Sequence, residues 1–215
     1  MPTRKVAVIA IGGNSLILSK DAQTVQDQYR ALCVTGKHIV SLVELGYQVV
    51  VTYGNGPQVG FLLWRSEVAH ATSGLHGLPL VTCVADTQGG IGYQIQQTLK
   101  NEFLRRGLCE DSIAVLTQVV VDKDDPGFRN PTKPVGAFLT EDEAVRLANE
   151  TGATFKEDAG RGWRQVVPSP KPVDVVEKDM VNTLVDSGYV VITVGGGGIP
   201  VVKKDGRLVG TPAVI

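Results

Sequence analysis

Three stretches of this 215-residue chain share one form, a run of small and β-branched residues that ends in glycine: "KVAVIAIGG" (5–13), "YQVVVTYGNG" (47–56) and "YVVITVGGGG" (189–198). Apolar runs without polar alternation belong to strands covered on both faces, the environment of a parallel sheet. Parallel neighbours need a crossover connection, and residues 22–46 supply one. Leu32, Ile39 and Val43 fall on one helical face with Gly36 on the same stripe, and Gly46 provides a stop. The first two runs and this helix form a βαβ unit.

The alternation continues downstream. "PQVGFLLWRSEVAHA" reads as a helix led by Pro57, since proline is tolerated in a first helical turn. Ile91, Ile95, Leu99 and Phe103 recur every four residues, and "SIAVLTQVVVD" at 112–122 reads as one further strand. "GGIGY" at 89–93 reads as the close-packed start of a helix, because no strand directly precedes it. Near Asp122 the pattern changes. Residues 123–172 hold most of the prolines, a helix capped by Thr140 with Glu143, and the turn "GRGWR" at 160–164. This segment is expected to be an inserted lobe on an α/β core formed by 1–122 and 173–215. The core pattern resumes with a helix at about 174–187, the third glycine-ended strand, and a hairpin turning at Asp205-Gly206.

Charge and composition exclude several classes of function. Lys plus Arg number 21 against 22 acidic residues, so the overall balance directs the chain to neither nucleic acid nor an anionic membrane. Any phosphate binding must therefore be local. Cys33, Cys83 and Cys109 show neither zinc-finger spacing nor a disulfide framework, which suits a reducing cytoplasm. His38, His70 and His76 lack an H-E-x-x-H arrangement and read as solvated or core residues, so no protein-held metal is expected. No apolar run approaches a membrane span, and the N-terminus lacks a signal-peptide core.

In open α/β sheets, ligands sit beyond the carboxyl ends of the strands, which is where the three glycine turns fall. Glycine lets backbone N–H groups approach an anion with no Cβ in the way, so "GGN" and "GNGP" suit phosphate oxygens. A single such glycine would equally serve only to turn the chain. Three of them at one sheet edge favour a site. Neither the G-x-x-x-x-G-K-[ST] loop nor the G-x-G-x-x-G spacing is present.

Taken together, "AIGGNSL", "YGNGPQVG", "QGGIGYQ", "DPGFRNPTKPVGAF", "GRGWRQVVPSPKP" and "VITVGGGGIPVV" resemble the carbamate kinases of the amino acid kinase family, in the family's order and over nearly the whole chain. The resemblance implies a three-layer α/β/α fold with a mostly parallel central sheet and a protruding subdomain, and a reversible phosphoryl transfer between ATP and carbamate. It places Gly12, Gly13, Asn14, Gly54, Asn55 and Gly56 around carbamate and the moving phosphoryl group, and Gly195, Gly196, Gly197 and Gly198 on the nucleotide side. Related kinases often carry a lysine where this chain has Ala10, and the resemblance gives the compensating catalytic cation to Lys133 of "NPTKP". It also implies Mg²⁺ arriving with ATP or ADP and held by phosphate oxygens and water, and a homodimer formed through the N-terminal sheet region. Arg161 and Arg164 suit either an anion clamp or pairing with Glu157 and Asp158 that holds the lobe, the second being preferred.

The chain departs from the family pattern at "VGTPAVI". Thr211 and Pro212 stand where a valine and an acidic residue are common, and the family's Asp-Lys-Asp segment and nucleotide-binding portion would follow. The expectation is a fragment that turns over little by itself. Three rival readings accompany it: a kinase of acetylglutamate or glutamate, against which Ala10 and "NPTKP" speak; a carbamoyl phosphate-binding module without catalysis; and a dimeric scaffold.

Overall fold

The computed structural model describes residues 5–13 and 24–215. In chain order the elements are β1 (Val6–Ile11), α1 (Val25–Glu44), β2 (Gln48–Tyr53), α2 (Gln58–Ser73), α3 (Leu80–Arg106), β3 (Ser112–Ala114) and β4 (Gln118–Val121). There follow β5 (Lys133–Leu139), α4 (Glu141–Thr151), β6 (Thr154–Glu157), β7 (Trp163–Val167), β8 (Pro172–Val175), α5 (Lys178–Asp186), β9 (Val190–Ile192), β10 (Ile199–Lys204) and β11 (Arg207–Gly210). They fall into two compact units, one comprising 1–56, 88–118 and 175–198, the other 57–87, 119–174 and 199–215.

The first unit is built on a wholly parallel sheet in the order β1-β2-β9-β3. Alternate residues of β2, namely Val49, Val51 and Tyr53, join Leu32, Ile39 and Val40 of α1 and Ile91, Ile95, Leu99 and Phe103 of α3 in one buried cluster. The fourfold spacing in α3 is the stripe read from the sequence. Val50, on the opposite face of β2, lines a groove with Val181 and Val185 of α5. Helices therefore cover both faces of this sheet, as the uninterrupted apolar strands require. The α1 N-terminus is fixed by a capping box in which Thr24 accepts from the Asp27 N–H and Asp27 accepts from the Thr24 N–H.

The second unit carries a sheet in the order β11-β10-β4-β8 and a three-stranded sheet in the order β5-β7-β6. The hairpin of β10 and β11 turns at Asp205 and Gly206, both with positive φ (50° and 74°), which is the backbone of a two-residue hairpin loop. In the other sheet β7 pairs antiparallel with both neighbours. Val59 of α2 packs with Cys83, Val84, Val135, Val167 and Val214. The helix α4 starts at the capping box read from the sequence, with Thr140 accepting from the Glu143 N–H and Glu143 from the Thr140 N–H.

Several element boundaries differ from the sequence reading, each for a physical reason. "SIAVLTQVVVD" is two strands in different sheets, β3 and β4. Between them Thr117 is held by bonds outside any strand ladder, its N–H donating to the Gln88 side chain at Oε1 (2.7 Å) and its hydroxyl to the main-chain carbonyl of Val115 (2.8 Å). "GGIGY" lies inside α3, which begins at Leu80 after Pro79. The close packing expected of it is present, since a Cβ on Gly92 would meet the Tyr53 hydroxyl at 3.0 Å. α5 begins at Lys178 because β8 takes Pro172–Val175. In "YVVITVGGGG" only Val190–Ile192 is strand, and the glycines form a 3₁₀ turn over Gly195–Gly197.

Candidate functional site

The first two glycine turns meet backbone to backbone at the carboxyl ends of β1 and β2. A Cβ on Gly13 would lie 2.9 Å from the Gly56 nitrogen, and one on Gly54 would lie 2.9 Å from the Gly13 nitrogen and 3.8 Å from the Gly12 carbonyl carbon. No residue with a side chain fits either position unless the backbone moves. The Gly54 N–H donates to the Ile11 carbonyl at 2.9 Å, which ties the second loop to the end of the first strand. Asn14 lies outside the described residues. Ala10, exposed at the end of β1, pairs in register with Thr52.

The third glycine turn closes on the second. A Cβ on Gly195 would fall 2.1 Å from the Tyr53 ring, and one on Gly196 would fall 1.9 Å from Asn55 Oδ1. Asn55 is 9% exposed, and neither its Nδ2 nor its Oδ1 has a hydrogen-bond partner among the described residues. Buried side-chain amides are almost always partnered. An unpartnered one beside three glycine turns has both a donor and an acceptor available to a ligand.

Val194 initiates the third turn with φ 50° and ψ 34°, a left-handed conformation that a β-branched residue rarely adopts. Two hydrogen bonds hold it there. Its N–H donates to Thr117 Oγ1 at 2.9 Å, and its carbonyl accepts from Thr52 Oγ1 at 3.1 Å. Thr117 Oγ1 also lies 3.0 Å from Thr193 Oγ1. Gln88, buried in α3, donates to the Gly195 carbonyl at 2.9 Å, and its own carbonyl accepts from Tyr53 at 2.5 Å. Burial pushes the Tyr53 hydroxyl well above the usual phenol range, so it remains a neutral donor. The turn is thus fixed by a polar network of Tyr53, Gln88, Thr117 and Thr193, none of which stands out in the sequence. One signal was present: Gln88 occupies the apolar stripe of α3, three residues before Ile91 and seven before Ile95.

Every group at the turns described so far is electrically neutral. Amide donors suit the oxygens of an anion but do not balance its charge. The proposed cation Lys133 belongs to the second unit, where it opens β5 opposite Val167, is exposed, and donates through Nζ to the Ile215 carbonyl at 3.3 Å. Arg161 and Arg164 both pair with Asp158, at 2.8 and 3.3 Å, and lie over the Phe138 ring at 5.1 and 5.0 Å. The neighbouring guanidinium of Arg161, with that of Arg164, holds the Asp158 carboxyl below the usual range. Of the two readings of these arginines, lobe-holding is the one this geometry matches, with Asp158 rather than Glu157 as the anion. Among the described residues no group of three or more His, Cys, Asp and Glu side chains is placed to hold a metal, and no helix is long and apolar enough to cross a membrane.

Residues 5–211 match the model of the amino acid kinase family. The chain is 48% identical over 209 residues to the carbamate kinase of Clostridium perfringens, covering 97% of this chain and 67% of that protein. It is 47% identical over 211 residues to the carbamate kinase of Pyrococcus furiosus, covering 98% of this chain and 67% of that one. Among solved structures, the carbamate kinase of Giardia lamblia bound to AMP-PNP superposes with a TM-score of 0.89 at 40% identity, covering all of this chain and 68% of that one. The chain spans about two thirds of the length of these relatives.

Proposed function

The chain belongs to the amino acid kinase family, a family of α/β phosphotransferases, and from that premise we propose that it carries the carbamate and phosphoryl site of a carbamate kinase. The observation that carries this reading is the cradle of Gly13, Gly54 and Gly56 beside the buried, unpartnered amide of Asn55. Carbamoyl phosphate presents oxygens to be held by N–H donors and a carbamoyl group that needs both a donor and an acceptor. Gly12, Gly13 and Gly56 supply backbone N–H groups, and Gly54, whose own N–H is spent on the Ile11 carbonyl, lets the two loops close together. Asn14 and Asn55 supply the side-chain amides, and Gly195–Gly198 the face toward the nucleotide.

In the direction of ATP synthesis, a terminal phosphate oxygen of ADP attacks phosphorus. The bond from phosphorus to the carbamate oxygen breaks, and its electron pair leaves with carbamate. The protein contributes position and compensation of charge on the phosphoryl oxygens, since such transfers involve little covalent chemistry from the enzyme. Lys133 provides the positive charge that the neutral glycine turns lack. Mg²⁺ arriving with the nucleotide would be held by phosphate oxygens and water and would neutralise phosphate charge. Three free cysteines fit a reducing cytoplasm. A homodimer through the N-terminal sheet region is supported by the terminal place of β3 in that sheet among the described residues and by exposed Tyr93 and Leu116 beside it.

The test follows carbamoyl phosphate by ³¹P NMR with Mg²⁺ and ADP in the presence of this chain, Asn55→Ala and Lys133→Ala. ATP resonances that both variants diminish establish the kinase. A substrate line that broadens without ATP, less so with the variants, establishes a module that binds without turnover. A line unchanged by the chain overturns the site.

A further inference from the structure

The helix α2 meets the lobe strand that bears Lys133 without any side chain in between. A Cβ on buried Gly60 would lie 2.1 Å from the Gly136 nitrogen and 2.6 Å from its Cα, well inside any tolerable contact. Gly60 is the third residue of α2, in its first turn, where alanine is still a better helix former than glycine, so its presence answers to this approach rather than to helix formation. Gly136 has φ 75° and lies where the register of β5 against β7 shifts, between Val135 and Leu139. Its carbonyl accepts from Arg164 Nη2 at 3.1 Å, and Arg164 is itself held by Asp158. Gly136 is therefore fixed from the helix on one side and from β7 on the other.

Lys133 is three residues upstream on the same strand, with Pro134 between. Proline fixes its own φ and restricts the residue before it, which makes the linkage short and stiff. A displacement at Gly136 is carried to the base of the lysine. We propose that Gly60, Gly136 and Arg164 form a positioning joint that sets where the Lys133 ammonium reaches. The consequence for phosphoryl binding rests on the role given to Lys133 above. The joint itself does not.

The experiment compares the chain with Gly60→Ala, Lys133→Ala and the double variant, together with Arg164→Lys, which keeps the charge and loses the fork that reaches Gly136. Two quantities are read: the affinity for carbamoyl phosphate by ³¹P titration, and the rate at which acetyl N-hydroxysuccinimide ester labels Lys133 relative to Lys171 and Lys203, by peptide mass spectrometry. Thermal unfolding identifies variants that fold, and Arg164→Lys carries the test if Gly60→Ala does not. The expected result is a loss of affinity of about tenfold in Gly60→Ala, no further loss when it is added to Lys133→Ala, and a changed labelling rate confined to Lys133. Losses that simply add, or unchanged labelling of Lys133 in a folded joint variant, overturn the joint and leave the lysine's role intact. If Lys133→Ala binds as the parent does, or the parent does not bind, the role of Lys133 falls, and labelling alone decides the joint.

Discussion

At Asn55 the requirements of folding and of binding oppose one another. Its amide is buried with both polar atoms unpartnered, which costs a folded chain about 1–3 kcal/mol. Alanine removes that cost and loses the packing against Gly196. Asn55→Ala is accordingly expected to unfold in urea at the same concentration as the parent or a higher one, while its affinity for carbamoyl phosphate drops by about tenfold, as for a lost ligand hydrogen bond of about 1.4 kcal/mol. A variant that loses stability and keeps affinity would make Asn55 a packing residue. Thr117 gives the opposite expectation. Fully buried, it accepts from the Val194 N–H and holds that residue in its left-handed conformation. Thr117→Val keeps the shape, strands the N–H, and is expected to cost about 2 kcal/mol. The same urea titration checks it, and a change under about 0.5 kcal/mol would mean that the turn holds itself.

At the scale of elements, the cap of α4 separates stability from binding. Thr140→Ala breaks the box with Glu143 and is expected to lower the stability of the second unit by about 1 kcal/mol. Hydrogen exchange across α4 measures this, with carbamoyl phosphate affinity unchanged; a parallel loss of affinity would place α4 in the site. That box was legible in the sequence because both partners lie within four residues. So were the β1-α1-β2 unit, the apolar stripe of α3 and the Asp205-Gly206 turn, all local patterns. The glycine turns were legible as candidates for one site, and the backbone contact between them was not, since Gly13 and Gly56 are distant in the chain. The network behind the third turn was equally hidden, as Gln88 reaches Thr117 and Gly195 across intervals that no helical or strand period spans. The division of residues 112–122 between two sheets followed from the same cause. Its apolar run has the periodicity of one strand, and only the side-chain bonds of Thr117 show where the chain leaves the first sheet.

For the molecule as a whole, the response to acid draws on several carboxylates, and among the described residues Glu102 is the one lowered furthest. Glu102 is buried between Arg105 and Arg106, whose guanidinium hydrogen bonds lower its carboxyl from 4.5 to about 2. Arg106 continues to Glu44, to Ser41 Oγ at 3.0 Å and to the Lys37 carbonyl at 2.8 Å, so this charge centre also joins α3 to α1. A carboxyl whose pKa is depressed on folding binds its proton more readily in the unfolded chain. Its stabilising contribution is complete above the unfolded value near 4.5 and disappears as the pH falls toward 2. Asp27, Asp111, Asp125, Glu143 and Asp158 are lowered in the same direction, so the parent chain is expected to lose stability progressively below about pH 5. Glu102→Gln keeps hydrogen-bonding capacity without the charge. It should be less stable than the parent at pH 7, and the gap should narrow steadily on acidification, read as urea midpoints at pH 7, 5, 4 and 3. Midpoint curves that run parallel over that range would show that the Glu102 charge contributes nothing, and that the link between α1 and α3 depends on its packing alone.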